Sequence, residues 1–157
     1  ARDMPFSSTP LPDGRISVHA TTVAVADRAL LITGPSGSGK SGVAAQMIAL
    51  GADLVTDDLT VLSPGMRDRD GDGSLAGGVI AEMPARGVAA MELRGLGIVP
   101  MTVAGPTSLA GVLLLEPMQS RLPEPETVLL CGVQMPLLRH PATADLAAKL
   151  ILWLKTR

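Results

Sequence analysis

One segment constrains this chain more than any other: Gly34-Pro35-Ser36-Gly37-Ser38-Gly39-Lys40-Ser41. It fills the pattern of glycine, four residues, then glycine-lysine-serine. The apolar run Ala29-Leu30-Leu31-Ile32 leads straight into it, and Val43-Ala44-Ala45-Gln46-Met47-Ile48-Ala49-Leu50 follows as a helix ending at Gly51. Strand, glycine-rich loop and helix in that order are the context a P-loop requires. The glycines let consecutive backbone N–H groups turn inward around a phosphate, and the helix N-terminus adds a favourable dipole. Lys40 then reaches the terminal phosphates, and the Ser41 hydroxyl reaches a bound Mg²⁺. Every residue from Gly34 to Ser41 is therefore a candidate nucleotide contact.

The 157 residues suit a single domain, large enough to bury about two-thirds of its unfolded surface. Aromatic residues nearly vanish, with Phe6, Trp153 and no tyrosine, so the core must be aliphatic. The net charge is −2 and no long basic run occurs. Nucleic acid and anionic membrane both need clustered Lys and Arg, and neither is an expected partner. Cys131 stands alone, which excludes an internal disulfide and suggests a reducing compartment. Its place in Val128-Leu129-Leu130-Cys131 predicts a buried, inert thiol. With neither a signal peptide nor an apolar stretch of spanning length, a cytoplasmic location is expected. Residues 1–14, rich in Pro and Ser, read as a flexible lead-in, and residues 15–157 as the folded domain.

Along the chain, Ile16 to Val25 alternates and is rich in β-branched residues, predicting a hairpin that turns at Asp27-Arg28 into Ala29–Thr33. Asp53 to Thr56 is a short strand ending in the pair Asp57-Asp58, and Thr60-Val61-Leu62 runs extended to the breaker Ser63-Pro64-Gly65. Residues 66–78, charged and glycine-rich, read as a mobile loop or hairpin tip. Within them Asp68, Asp70, Asp72 and Gly73 imitate the opening of a calcium loop. The position that needs a bidentate Glu is Val79, so calcium is not expected. Val79 to Ala81 is a strand, Pro84 opens a short helix through Ala90, and Ser108 to Leu115 is a fully buried strand. Residues 116–126 form a loop, Val128 to Leu138 gives two strands around Gly132, and a helix from Ala142 to about Lys155 closes the chain. Leu146, Leu150, Trp153 and Leu154 share one face of it. The sum is an α/β fold with a mixed, strand-rich sheet and few helices.

Phosphoryl transfer needs more than a P-loop: metal ligands, and a group that handles the incoming nucleophile. Asp57 and Asp58 stand where an apolar strand ends beside the loop strand. There one carboxylate can hold Mg²⁺ while the other accepts a proton from a substrate hydroxyl. The string Met91-Glu92-Leu93-Arg94-Gly95-Leu96-Gly97-Ile98 places an acid and a base two apart, ahead of two glycines among aliphatics. By itself it reads as an extended segment with a close backbone approach.

Taken together, Val18-His19, the P-loop, Val55-Thr56-Asp57-Asp58 and Glu92-Leu93-Arg94-Gly95-Leu96-Gly97-Ile98 resemble the C-terminal catalytic domain of HPr kinase/phosphorylase over roughly residues 15–155. The Glu-Leu-Arg-Gly-Leu-Gly-Ile string is the most specific part. The resemblance implies a phosphoenolpyruvate-carboxykinase-like nucleotide-binding core. It also implies an ATP- and Mg²⁺-dependent kinase acting on a serine of HPr, the small phosphocarrier of the sugar phosphotransferase system, and self-association such as the family's hexamer. It places His19 near the transferred phosphate, Lys40 on it, and Ser41, Asp57 and Glu92 at the metal. Asp58 becomes the base for the seryl proton, although the two aspartates can exchange roles, and Arg121 stabilises the transferring charge.

Two departures from the family pattern shape the expectation. The sequence matches the catalytic domain without the family's N-terminal domain, a short form. The family's Pro-Val-Arg-Pro-Gly-Arg-Asn loop, tied to removing phosphate, corresponds here to Leu138-Arg139-His140-Pro141-Ala142-Thr143-Ala144-Asp145, which lacks the glycine and the second arginine. A kinase with little reverse activity is expected. The rival readings are a small-metabolite kinase, for which Arg67 and Arg69 make a poor lid, and a nucleotide-sensing module without turnover, for which two retained aspartates are superfluous.

Overall fold

The computed structural model describes residues 4–65, 78–117 and 120–157. In chain order the strands are β1 (Ser8–Pro10), β2 (Ile16–Val18), β3 (Thr21–Val25) and β4 (Arg28–Thr33), followed by helix α1 (Lys40–Ala49). Next come β5 (Asp53–Thr56), β6 (Thr60–Pro64), β7 (Val79–Glu82), β8 (Ala90–Leu93), β9 (Gly97–Pro100) and β10 (Thr107–Leu115). The chain ends with β11 (Thr127–Leu130), β12 (Val133–His140) and α2 (Leu146–Lys155). Among the described residues, two α-helices and the short 3-10 helix Pro12–Gly14 against this many strands make the strand-rich mixed architecture that the sequence predicts.

Ten strands share one sheet, with the order β1-β2-β6-β7-β10-β4-β3-β5 and with β12 and then β11 joined to β10. The pairs β10–β4 and β10–β12 are parallel, and the other pairs in this sheet are antiparallel. Strand β10 is the hub. Thr107 and Ser108 pair β7, whereas Val112 to Leu115 pair β12 on the same edge. Side chains of a strand alternate between faces, and here both faces are covered. Leu30 and Ile32 of β4, with Leu113 of β10, pack beneath α1 and α2 beside Met47, Leu150 and Leu154. Leu31, Val112 and Leu114 face the opposite cluster with Val18, Leu62, Leu130 and Leu137. Burial on both faces is why Ala29–Ile32 and Gly111–Leu115 are unbroken apolar runs rather than alternating ones.

The expected hairpin forms only in part. Thr21 to Val25 pairs with β4 antiparallel, but Ile16 to Val18 leaves that hairpin and pairs with β6. The break falls at His19-Ala20, so the chain passes from one wing of the sheet to the other there. No helix forms after Pro84. A single turn closes with Gly87 N donating to Pro84 O at 2.8 Å, and Ala90 is taken into β8 opposite Pro100. A glycine inside so short a segment costs helix stability that a strand partner outweighs. The last helix starts at Leu146 rather than Ala142, because residues 141–145 turn first, with Thr143 N bonded to Pro141 O at 2.8 Å. The predicted mobile loop lies outside the described residues except for Gly78, as do Asp68, Asp70, Asp72 and Gly73. Ahead of the core, Ser8–Pro10 adds an edge strand to β2, and Phe6 packs against the second cluster. Cys131 sits half-buried in the β11–β12 turn, where burial pushes its thiol up, away from the reactive thiolate.

Candidate functional site

The phosphate loop is shaped by where β4 ends. Gly34 has φ 152°, and a Cβ there would lie 2.8 Å from Ser38 Oγ and 3.1 Å from Leu115 Cβ. Only glycine lets the chain leave β4 between Ser38 and the end of β10. Ser38 N donates to Pro35 O at 3.0 Å, closing the first turn of the loop. Gly39, at φ 101°, then turns the chain into α1, which begins at Lys40. Lys40 Nζ donates to Gly34 O at 3.0 Å and to Pro35 O at 3.2 Å, so the ammonium lies across the opening of the loop. Ser38 Oγ is buried in the loop without a hydrogen-bond partner among the described residues.

Beside α1, strand β5 delivers the twin aspartates. Ser41 Oγ donates to Asp57 Oδ1 at 3.3 Å, joining the first turn of α1 to the end of β5. Thr21 Oγ1 donates to the same Asp57 oxygen at 2.9 Å and accepts from Asp58 N at 3.4 Å. Asp58 has φ 68°, in the left-handed region that Asp tolerates better than most residues. Its side chain is exposed, with no hydrogen bond to a described residue. The two carboxylates therefore differ: one is tied to the helix, the other points to solvent.

A buried layer of threonines fixes this turn to the sheet. Thr60 Oγ1 donates to Ala20 O at 3.0 Å, which leaves Thr22 to donate in the Thr22–Thr60 contact of 2.8 Å. Thr56 Oγ1 donates to Leu59 O at 2.8 Å across the aspartate turn, and Thr33 Oγ1 donates to His19 O at 3.5 Å. Each hydroxyl is satisfied, as burial demands. Thr21 belongs to none of the sequence motifs. Its signal lay in Thr21-Thr22 standing directly after the His19-Ala20 break, where a polar pair inside an otherwise apolar strand needs partners.

His19 is exposed and lies on the wall of a cavity of about 400 Å³ together with Gly34, Pro35 and Thr33. Glu92 is exposed on β8, a strand whose Met91 and Leu93 pack into the cluster beneath α1. Among the described residues no hydrogen bond or ion pair joins Glu92 to Ser41 or Asp57. Arg121 is exposed in the segment between β10 and β11. It lines a second cavity, of about 710 Å³, between β12 and α2, together with Arg139, Lys149 and Trp153 and with no residue of the phosphate loop. There Arg139 bridges Glu116 and Glu126, which holds the Glu126 carboxyl below its usual range and raises the guanidinium further. The chain after His140 leads from this cavity toward the loop, with Ala142 Cβ 3.0 Å from a Cβ built on Gly39. The structure thus brings Ser41, Asp57, Asp58 and Thr21 together and sets His19 and Lys40 at one mouth of the loop, while Glu92 and Arg121 make no hydrogen bond or ion pair with these residues among the described ones.

This donor set fits a nucleotide with a divalent cation. A hydroxyl and a carboxylate 3.3 Å apart at a helix N-terminus are hard oxygen ligands of the kind Mg²⁺ takes alongside phosphate oxygens. The buried Ser38 Oγ, unpartnered among the described residues, offers a donor for an anion ahead of the N-terminus of α1.

The family model described as HPr Serine kinase C-terminal domain matches residues 13–106. An HPr kinase/phosphorylase of Clostridium beijerinckii is 40% identical over 91 residues, which is 58% of this chain and 26% of that protein. The HPr kinase/phosphorylase of Lachnoclostridium phytofermentans is 39% identical over 85 residues, 54% of this chain and 25% of the relative. The chain thus spans about a quarter of the length of the curated relatives it matches. The solved HPr(Ser) kinase/phosphatase of Coxiella burnetii superposes with a TM-score of 0.71 at 20% identity, covering 89% of this chain and 94% of that one. That likeness establishes the fold, and the family match reaches from before β2 through the aspartate turn and the β8–β9 hairpin. On these grounds the chain belongs to the HPr serine kinase C-terminal domain family.

Proposed function

We propose that this domain is an ATP- and Mg²⁺-dependent serine kinase whose acceptor is an HPr-like phosphocarrier protein, working chiefly in the forward direction. One observation carries the reading: Ser41 Oγ lies 3.3 Å from Asp57 Oδ1, so the phosphate loop and the acidic pair form a single site. In this reading the loop from Gly34 to Ser41 holds the triphosphate through its free backbone N–H groups, Pro35 having none and that of Ser38 serving the loop turn, and Lys40 exchanges the carbonyls of Gly34 and Pro35 for the terminal phosphate. Ser41 and Asp57, with Glu92 as a further carboxylate, hold the cation. A bound Mg²⁺ would supply positive charge against the phosphate oxygens.

Asp58 takes the seryl proton. Its exposed carboxylate is free to meet an incoming hydroxyl, whereas that of Asp57 is held by Ser41 and Thr21. His19 flanks the terminal phosphate from the cavity wall. Arg121 completes the set as a cation for the transferring charge, and it is the one member that would have to reach the loop from another cavity. The names of the relatives support the serine of a phosphocarrier as acceptor, and self-association belongs to the same proposal.

The test is transfer of labelled phosphate from ATP to an HPr-type carrier, wild-type or with its target serine changed to alanine. Label on the wild-type carrier alone is the expected result. Label on neither, with ATP still bound, would point to a nucleotide-sensing module and remove the proposal. Loss of transfer on changing Arg121 to Ala, with ATP affinity retained, would place that arginine in the reacting complex.

A further inference from the structure

The cavity beside His19 has a second wall that the reaction scheme does not use. It is built by Pro5, Phe6 and Ser7, the segment leading into β1, facing Gly34, Pro35 and Leu114 across about 400 Å³. Phe6 is the chain's one phenylalanine. It packs against the cluster that includes Val18, Leu31 and Leu114, so the segment is anchored rather than laid on the surface. The strand β1 beyond it is hydrogen-bonded to β2, with Ser8 opposite Val18, the residue before His19. The lead-in and the imidazole are thus held in register on one edge of the sheet.

Which end of the bound nucleotide this cavity meets follows from Lys40. Its Nζ contacts the carbonyl oxygens of Gly34 and Pro35 at 3.0 and 3.2 Å, and both of those residues line the cavity. The lysine serves the terminal phosphates. The cavity therefore opens at the end from which phosphate departs, while neither Ser41 nor Asp57 on the cation side contributes to it. Its lining is apolar at Pro5, Phe6, Pro35 and Leu114, and polar only at Ser7, Thr33 and His19. Such a lining suits an uncharged, apolar side chain more than a phosphorylated or acidic metabolite.

We infer that Pro5, Phe6, Pro35 and Leu114 form a specificity subsite for an apolar side chain adjacent to the phosphoryl-accepting serine of the carrier protein. The inference rests on the kinase reading above and deepens it. Phe6 acts through apolar contact with the acceptor segment, and His19 shares the wall of the same cavity. The subsite gives a protein acceptor something to fill that a small hydroxylated metabolite lacks, so it favours the protein substrate.

The experiment measures steady-state transfer to an HPr-type carrier by wild-type enzyme, Phe6→Ala and Phe6→Leu, each against two carrier variants that place either Leu or Asp next to the serine. Wild-type enzyme should lose at least about tenfold in kcat/KM on the Asp carrier, the range expected for an apolar pocket. Phe6→Ala should raise the KM for the apolar carrier by a similar factor and leave the KM for ATP within about twofold. Phe6→Leu, which preserves the packing, should lie between. An unchanged carrier KM in both Phe6 variants, or equal use of both carriers by wild-type enzyme, would overturn the subsite while leaving the kinase intact. Absence of transfer to any carrier by the folded wild-type enzyme would instead overturn the kinase reading, and the subsite with it.

Discussion

Thr21 Oγ1 donates to Asp57 Oδ1 at 2.9 Å and accepts the amide of Asp58 at 3.4 Å, so one hydroxyl holds both neighbouring aspartates. Thr21 touches no reacting atom in the proposed scheme and acts as a positioning residue. Thr21→Val keeps the shape and removes both bonds. It should lower kcat by roughly ten- to a hundredfold through misplaced carboxylates while leaving the KM for ATP nearly unchanged. Thr21→Ser should restore most of the rate. An equal loss in the serine variant would mean that the methyl group, not the hydroxyl, matters.

Gly34 offers a sharper test of the loop. A methyl group there meets Ser38 Oγ at 2.8 Å and the Leu115 carbonyl at 3.2 Å, on a backbone at φ 152°. Gly34→Ala should weaken nucleotide binding by roughly ten- to a hundredfold, since strain of this kind costs about 1–3 kcal/mol. Titration with a fluorescent ATP analogue reads the change directly. Wild-type affinity in this variant would mean the nucleotide sits elsewhere.

Much of this architecture is legible from short-range pattern, and the failures have local causes. The P-loop, β5 and β10 are strong because glycine spacing and unbroken apolar runs leave few alternatives. Ile16–Val25 reads as one strand of a hairpin because alternation continues through His19-Ala20, and nothing local announces that β2 and β3 join different partners. Pairing with β6 decides it, and that is a long-range fact. Pro84 signals a helix start correctly by its own rule, but strand pairing of Ala90 with Pro100 overrides it. Within the site, the aspartates were visible as a pair at a strand end. That Asp57 rather than Asp58 faces Ser41 depends on the left-handed backbone at Asp58, which residue spacing does not convey.

The hub strand makes a stability prediction. Gly111 of β10 lies under the indole of Trp153, and an added Cβ would come within 2.6 Å of Cη2 and 3.4 Å of the Pro136 carbonyl. Gly111→Ala should destabilise the domain by about 1–3 kcal/mol, the usual cost of overpacking a filled interior. Urea unfolding followed by Trp153 fluorescence measures it. A neutral outcome would show that the α2 helix shifts without cost.

Acid should expose a different contact. Arg139 Nε donates to Glu126 Oε1 at 2.9 Å and Nη2 to Oε2 at 2.8 Å, and this pairing is the main cause of the lowered Glu126 carboxyl. A carboxyl lowered by folding contributes stability above its unfolded value and loses it as pH falls through the folded one. Glu126 is 47% exposed, so solvent screens the pair and the contribution is modest. Comparing melting temperatures of wild-type and Glu126→Gln from about pH 7 to about pH 3 should show a gap that closes on acidification. A gap that widens toward acid would contradict the assignment.

The division of labour between the two aspartates is the centre of the account, and a single pairing of assays tests it. Asp58→Asn should abolish phosphate transfer to the carrier while Mg²⁺–ATP binds the variant about as well as wild type, because the metal-side oxygen of Asp57 is untouched. Transfer at near wild-type rate, or nucleotide affinity lost together with transfer, would show that Asp58 is not the base and that the roles of the pair are reversed.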